Sequence, residues 1–152
     1  MEDNLTSSTV LKQRSEIYDV KDDIALGEGT YGSVIKVIRK SDKQEFAAKK
    51  IKLPHKDWDS EEKLEFKREH DILSSCKHPG IIEYVDTFKH GEFVYIVTKI
   101  ANQGNLELHL KKWGNLLEDQ AIEYLLIILL VAEYFHCKKI LHRDLKLANI
   151  LV

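Results

Sequence analysis

Only two cysteines, Cys76 and Cys137, occur in the 152 residues. They lack the spacing of a metal site or the density of a disulfide scaffold, which points to a reducing compartment, cytoplasmic or nuclear, with both thiols in the core. No long hydrophobic run is present either. The longest wholly apolar stretch, Leu125 to Ala132, has eight residues against the roughly 20 a spanning helix needs, so no membrane span is expected. Met1 to Ser8 is acidic and hydroxyl-rich and lacks the basic, apolar, small-residue progression of a secretory signal. Neither sign of charge dominates: 23 Lys and Arg against 25 Asp and Glu give a formal net charge of -2, without the basic footprint of a nucleic-acid binder. With 43% hydrophobic and 32% charged residues, the composition is that of a soluble globular protein rather than a disordered tail. Glycine is scarce, at seven residues, yet Gly27, Gly29 and Gly32 fall together.

Residues 1 to 16 read as a polar lead-in. Runs rich in Val, Ile, Phe and Tyr then predict five strands: Ile17 to Leu26, Ser33 to Arg39, Glu45 to Leu53, Ile81 to Phe88 and Phe93 to Lys99. Lys89-His90-Gly91-Glu92 reads as a hairpin turn between the last two, and Ser60 to Cys76 as a charged helix closed by His78-Pro79-Gly80. From Gly104 onward the pattern turns helical, with a short helix near Leu106 to Lys112 and a longer one from Glu118 to Cys137. The long helix is apolar almost all round its middle and is expected to be covered on several sides.

Gly27-Glu28-Gly29-Thr30-Tyr31-Gly32-Ser33-Val34 lies between the first two strands, where glycines let a hairpin lie against phosphates. The pattern G-x-G-x-x-G is weak alone. As a dinucleotide fingerprint it needs a helix from the third glycine and an acidic residue about 20 positions on, whereas Ser33 to Ile38 continues as a β-rich run. On the third strand Ala47 and Lys49 share a face by alternation; Lys50 is the out-of-register alternative. Around Glu69 the helical neighbours Phe66, Ile72, Leu73 and Cys76 set a carboxylate in an apolar stripe. Such burial is costly unless a cation meets it; otherwise Glu69 borders the stripe and pairs with a surface cation, worth about 0–1 kcal/mol. The densest chemistry is His142-Arg143-Asp144-Leu145-Lys146-Leu147-Ala148-Asn149. Each polar member alone reads as a surface residue; joined at this spacing they do not.

These groups, in this order from about Ile17 to Val152, resemble the catalytic domain of eukaryotic-type serine/threonine protein kinases. The resemblance implies an α+β fold: a five-stranded antiparallel N-lobe with one helix over about 17–101, and the beginning of a mainly helical C-lobe over about 102–152, incomplete. It implies ATP and Mg2+ as cofactors, bound between the lobes, and a protein substrate with a Ser or Thr acceptor. By it, Asp144 accepts or orients the attacking hydroxyl, Asn149 holds magnesium, and Lys146, usual in serine/threonine-type loops, steadies the γ-phosphate. Lys49, in a strand similar to V-A-I-K, reaches the α- and β-phosphates and pairs with Glu69. Gly27, Glu28, Gly29, Thr30, Tyr31, Gly32 and Val34 form the phosphate loop. Thr98 guards the back of the adenine pocket, the backbone of Lys99 and Ala101 bonds the adenine edge, and Asn105 lies near the ribose. Val34 and Ala47 form the roof of the purine sandwich and Leu151 its floor. Lys99 departs from the acidic residue common there, and Leu147-Ala148 replaces Pro-Glu. Arg143 resembles the arginine that grips a phosphorylated activation loop. No D-F-G and no A-P-E occurs in the 152 residues. The expectation is therefore a domain truncated before D-F-G, with the alternative of a catalytically incompetent ATP-binding or interaction fragment whose apolar helix 118–137 seeks a partner.

Overall fold

The computed structural model describes residues 16–29, 32–52 and 60–152. Contacts divide the chain into two compact units, one comprising the described residues up to Ser75 together with Glu83–Ile100, the other Cys76–Ile82 together with Ala101–Val152.

The first unit is an antiparallel sheet with one helix, α1 (Ser60–Ser75). Its strands are β1 (Tyr18–Gly29), β2 (Gly32–Arg39), β3 (Glu45–Lys52), β4 (Tyr84–His90) and β5 (Phe93–Thr98), in the order β1-β2-β3-β5-β4. Ile35 and Val37 on β2, Phe46 and Ala48 on β3, Tyr95 and Val97 on β5, Phe88 on β4 and Tyr18 on β1 form one buried cluster. Tyr18 and Phe88 belong to opposite edge strands, yet their rings stack at 5.0 Å, and Phe88 stacks on Tyr95 at 4.9 Å. The sheet is therefore curled until its edges meet over this cluster, an extreme of the twist strands favour. β5 is buried on both faces from Val94 to Val97, which explains an apolar run without alternation.

The β4–β5 hairpin closes at His90 opposite Phe93. Gly91 has φ +60° and Glu92 no positive φ, the pattern of a type II′ turn with glycine first. β4 begins three residues later than Ile81: the Ile81 N–H is bonded to the His78 carbonyl at 3.0 Å in a turn, so Ile81 and Ile82 do not enter the ladder despite their β-branched side chains. Gly32 opens a strand, not a helix, which removes the dinucleotide reading.

The second unit holds α2 (Leu106–Trp113), α3 (Glu118–Cys137) and a single 3-10 turn at Leu147–Asn149. Asn105 Oδ1 accepts the Leu108 N–H at 2.9 Å and caps α2. Gln120 Oε1 reaches back to the Leu117 N–H at 3.0 Å at the start of α3, where Glu118 and Asp119 complement the helix dipole. At its other end the Lys139 N–H bonds the His136 carbonyl and the Ile140 N–H the Phe135 carbonyl, a Schellman motif in which Lys139 takes the left-handed position with φ 60°.

The segment before β4 packs on α3. A Cβ at Gly80 would lie 2.7 Å from a Val131 methyl and 2.8 Å from an Ile127 methyl, and the Tyr134 hydroxyl accepts the Lys77 N–H at 2.9 Å. Yet no residue of α3 is fully buried, and Leu125, Leu126, Leu129 and Leu130 are each more than half exposed. The expected cover on several sides is absent among the described residues. Cys76 is buried, but Cys137 is exposed, correcting its placement in the core: it ends a helix whose flank is open. By length and composition alone α3 could cross a membrane, unlike what the eight-residue apolar run suggested. A single helix of this kind is weak evidence for a span, and Glu123 and Glu133 lie within it.

Candidate functional site

Cross-strand register, more than contact, defines one face of the sheet in the first unit. Val34 pairs with Lys49, and Lys49 with Ile96; Lys36 pairs with Ala47, and Ala47 with Thr98. Directly opposed residues of antiparallel strands project to the same side, so Val34, Ala47, Lys49 and Thr98 lie together on the face opposite the aromatic cluster. Gly27 pairs with Val34, and Gly29 with Gly32, so the glycine-rich segment is the end of the β1–β2 hairpin beside this face. A Cβ on Gly27 would meet nothing within 4 Å. Thr30 and Tyr31 lie outside the described residues, as do the side chains of Glu28 and Phe66.

On this face Lys49 Nζ donates to both oxygens of Glu69 at 2.6 and 2.8 Å. The ion pair is formed in the register of Lys49, not Lys50, whose ammonium lies over the Phe93 ring at 4.3 Å. It is less buried than an apolar stripe would make it: the two side chains are 24% and 30% exposed, and Ile72 on the same helix is exposed. Next to the last strand, the Lys99 N–H donates to the Glu83 carbonyl at 2.9 Å and its ammonium pairs with Glu83 at 2.8 Å. The Lys99 N–H is thereby engaged, which leaves the carbonyl for a ligand.

In the second unit, Asn149 Nδ2 donates to the Asp144 backbone carbonyl at 2.8 Å and to its Oδ2 at 2.9 Å. Lys146 Nζ lies 3.0 Å from the same Oδ2. The hydrogen bond from Lys146, then that from Asn149, holds the Asp144 carboxyl below the usual carboxylate range, with smaller contributions from the charges of Lys146 and His142. The loop is tight: Asp144 N–H bonds His142 Nδ1 at 3.3 Å, and the Asn149 N–H bonds the Lys146 carbonyl at 2.9 Å. Arg143 sits at φ 63°, a conformation costing a non-glycine residue roughly 1–2 kcal/mol. Leu151 bridges Asn105, and the Gln103 and Leu106 N–H groups bond the Val152 and Ile150 carbonyls, so the 3-10 turn is tied to the start of α2. Ala101 belongs to this unit. The capping of α2 occupies Asn105 Oδ1, a role that the ribose expectation overlooked although Asn before Leu106 and Glu107 is a recognisable cap signal.

For a divalent cation the donor set is sparse. Among the described residues no group of three or more His, Cys, Asp or Glu side chains could hold a metal. Mg2+ tolerates this, since it keeps several waters and takes one or two protein oxygens beside substrate phosphates. With its amide nitrogen committed to Asp144, Asn149 has Oδ1 to offer as one such ligand.

A family model described as the protein kinase domain matches residues 20–152. The chain is 35% identical over 130 residues to serine/threonine-protein kinase Nek4 of Mus musculus, covering 84% of this chain and 16% of that protein. It is 34% identical over 139 residues to human ribosomal protein S6 kinase alpha-6, covering 91% and 17%, and 35% identical over 137 residues to calcium-dependent protein kinase 5 of Plasmodium falciparum, covering 90% and 23%. The chain thus spans less than a quarter of the length of these relatives. A solved structure of Rad53 1-466 in complex with AMP-PNP superposes with a TM-score of 0.75 at 28% identity, covering 90% of this chain and 34% of that one.

Proposed function

The chain belongs to the protein kinase domain family, and from that premise we propose that it carries the ATP-binding part of a serine/threonine kinase that passes the γ-phosphate to Ser or Thr hydroxyls of protein substrates. The observation that carries the reading is the Lys49–Glu69 pair, set on a sheet face where Val34, Ala47 and Thr98 stand beside it, with Lys36 and Ile96 in the same cross-strand rows. A small residue, Ala47, beside a fixed ammonium suits a purine and its phosphates. In the first unit Gly27, Glu28, Gly29, Thr30, Tyr31 and Gly32 would supply the phosphate loop and the Lys99 carbonyl an adenine contact; in the second, the family assignment gives Ala101, Leu151 and Asn105 adenine-edge, floor and ribose roles.

Asp144 is the acceptor of the attacking hydroxyl. Its lowered pKa keeps it ionised at neutral pH, so it orients the hydroxyl as a hydrogen-bond acceptor. That role suits phosphoryl transfer, in which positioning and charge neutralisation carry most of the barrier. Lys146, on the same carboxylate, is placed to shift to the γ-phosphate. When bound, Mg2+ supplies charge neutralisation on the phosphates, and Asn149 Oδ1 would be among its ligands. The test is transfer of labelled phosphate from ATP to a generic Ser/Thr protein substrate. Asp144→Asn is expected to lower kcat by about 10²- to 10⁴-fold with ATP affinity changed only a few-fold; transfer undiminished in Asp144→Asn would remove the assignment.

A second reading is favoured by the exposed apolar surface of α3: an ATP-binding or interaction fragment without turnover, in which that surface meets a partner. It predicts ATP-dependent thermal stabilisation with no labelled product.

A further inference from the structure

We propose that Tyr84 and His70 form a positioning pair that sets α1 so that the Glu69 carboxylate meets Lys49, an inference that rests on the reading of Lys49 as the phosphate-binding lysine. Lys49, Ile96 and Thr87 are one cross-strand row over β3, β5 and β4, so Lys49 and Thr87 stand on the same face two strands apart, about 10 Å. α1 lies across that row and grips both ends of it with consecutive residues. Glu69 takes Lys49 at 2.6 Å. His70, about 100° further round the helix, places Nε2 3.4 Å from the Tyr84 hydroxyl, which in turn lies 3.0 Å from Thr87 Oγ1.

Neither grip is sufficient alone. An ion pair whose side chains are 24% and 30% exposed is screened by water and weak, and α1 leaves Ile72 exposed, so one carboxylate does not fix the rotation of the helix about its axis. The second grip is better packed. Thr87 is 7% exposed, and the His70 and Tyr84 rings meet edge to face at 5.7 Å and 89°. The Tyr84 O–H donates to Thr87 Oγ1, His70 Nε2 lies against the Tyr84 oxygen, and His70 Nδ1 lies 3.2 Å from the Asp71 carboxylate. The chain of contacts therefore fixes a position of α1 against β4.

Labelling of Lys49 by an amine-acylating reagent, read by mass spectrometry against the other lysines, reports the ion pair without nucleotide. Tyr84→Phe keeps the ring and removes only the hydroxyl; it is expected to raise Lys49 labelling about three- to tenfold, the worth of one such hydrogen bond, with the thermal midpoint little changed. His70→Ala should do the same and His70→Gln, which retains a polar end, should partly restore protection. Glu69→Gln should raise labelling at least as far, and Tyr84→Phe should add nothing in that background, a non-additivity that a merely structural role would not produce. An unchanged Lys49 rate in Tyr84→Phe, or full additivity with Glu69→Gln, overturns the proposal. ATP binding measured on the same proteins separates the two claims. Failure of the unsubstituted chain to bind ATP removes the nucleotide reading and leaves the labelling to decide the positioning; ATP binding with unchanged labelling removes the positioning alone.

Discussion

At Asp144 the ordering of causes makes a pH experiment specific. The hydrogen bond from Lys146 contributes most to lowering its pKa, ahead of the one from Asn149. The ionised carboxylate is thus the favoured form when folded, so the favourable interaction is complete above the ordinary aspartate value and is lost as pH falls through the lowered folded value. Lys146→Met should move the midpoint of Asp144 upward toward the ordinary range, seen by carboxyl-carbon NMR titration, and shift the acidic limb of kcat in the same direction. Both groups are more than half exposed, so added salt should shrink the difference; a midpoint unmoved by Lys146→Met would mean that Asn149 and the backbone set it. Gly27 offers a complementary residue-scale test. It has no positive φ, and a methyl added at its Cα would have no neighbour within 4 Å, so Gly27→Ala should leave the thermal midpoint unchanged or slightly raised, since glycine in a strand costs roughly 0.5–1 kcal/mol relative to alanine. If the β1–β2 hairpin closes on phosphates, ATP affinity should nonetheless fall several-fold, as a Cβ now stands between backbone and ligand.

Among the elements, Gly80 marks a close junction between the segment before β4 and α3. A methyl there would press to 2.7 Å on Val131 and 2.8 Å on Ile127, both β-branched and stiff at χ1, so Gly80→Ala is expected to destabilise by about 1–3 kcal/mol, read as a lower midpoint in denaturant. A neutral result would place α3 farther from this loop. The same elements show what sequence conveys. Strand alternation at Ile35, Val37, Phe46 and Ala48, and the acidic start of α3 at Glu118, are local signals, and both survive folding. The Lys49–Glu69 pair was legible through the resemblance to kinases: helix period set Glu69 in an apolar stripe that called for a cation, but alternation alone left Lys50 as well as Lys49 to supply it. Lys139 and Arg143 in left-handed conformations were not, because no residue-type preference announces a Lys or Arg there; the Schellman bonds and the hydrogen bonds around Asp144 impose it. The late start of β4 was missed for the opposite reason: Ile81 and Ile82 carry a strong strand signal that a turn at His78 overrides.

For the molecule as a whole, the decisive quantity is where its apolar surface goes. Periodicity told that α3 is apolar all round, but not what lies against it, because cover is a property of other segments. Ile127 and Val131 meet the Gly80 loop, while Leu126 and Leu130, one turn apart, are each 55% exposed. Contiguous exposed leucines of this kind promote association. Leu126→Glu with Leu130→Glu should therefore lower binding of a dye that reports exposed apolar surface and reduce self-association in sedimentation, while stability changes by only about 0.5 kcal/mol per site, as for ordinary surface positions. A loss of several kcal/mol would instead show both leucines to be packed in the folded protein, since inserting two carboxylates into an apolar contact without partners carries that penalty. The measurement distinguishes an open helix face from a covered one by sign and size together: lower dye binding at constant stability for the first, lower stability with higher dye binding for the second.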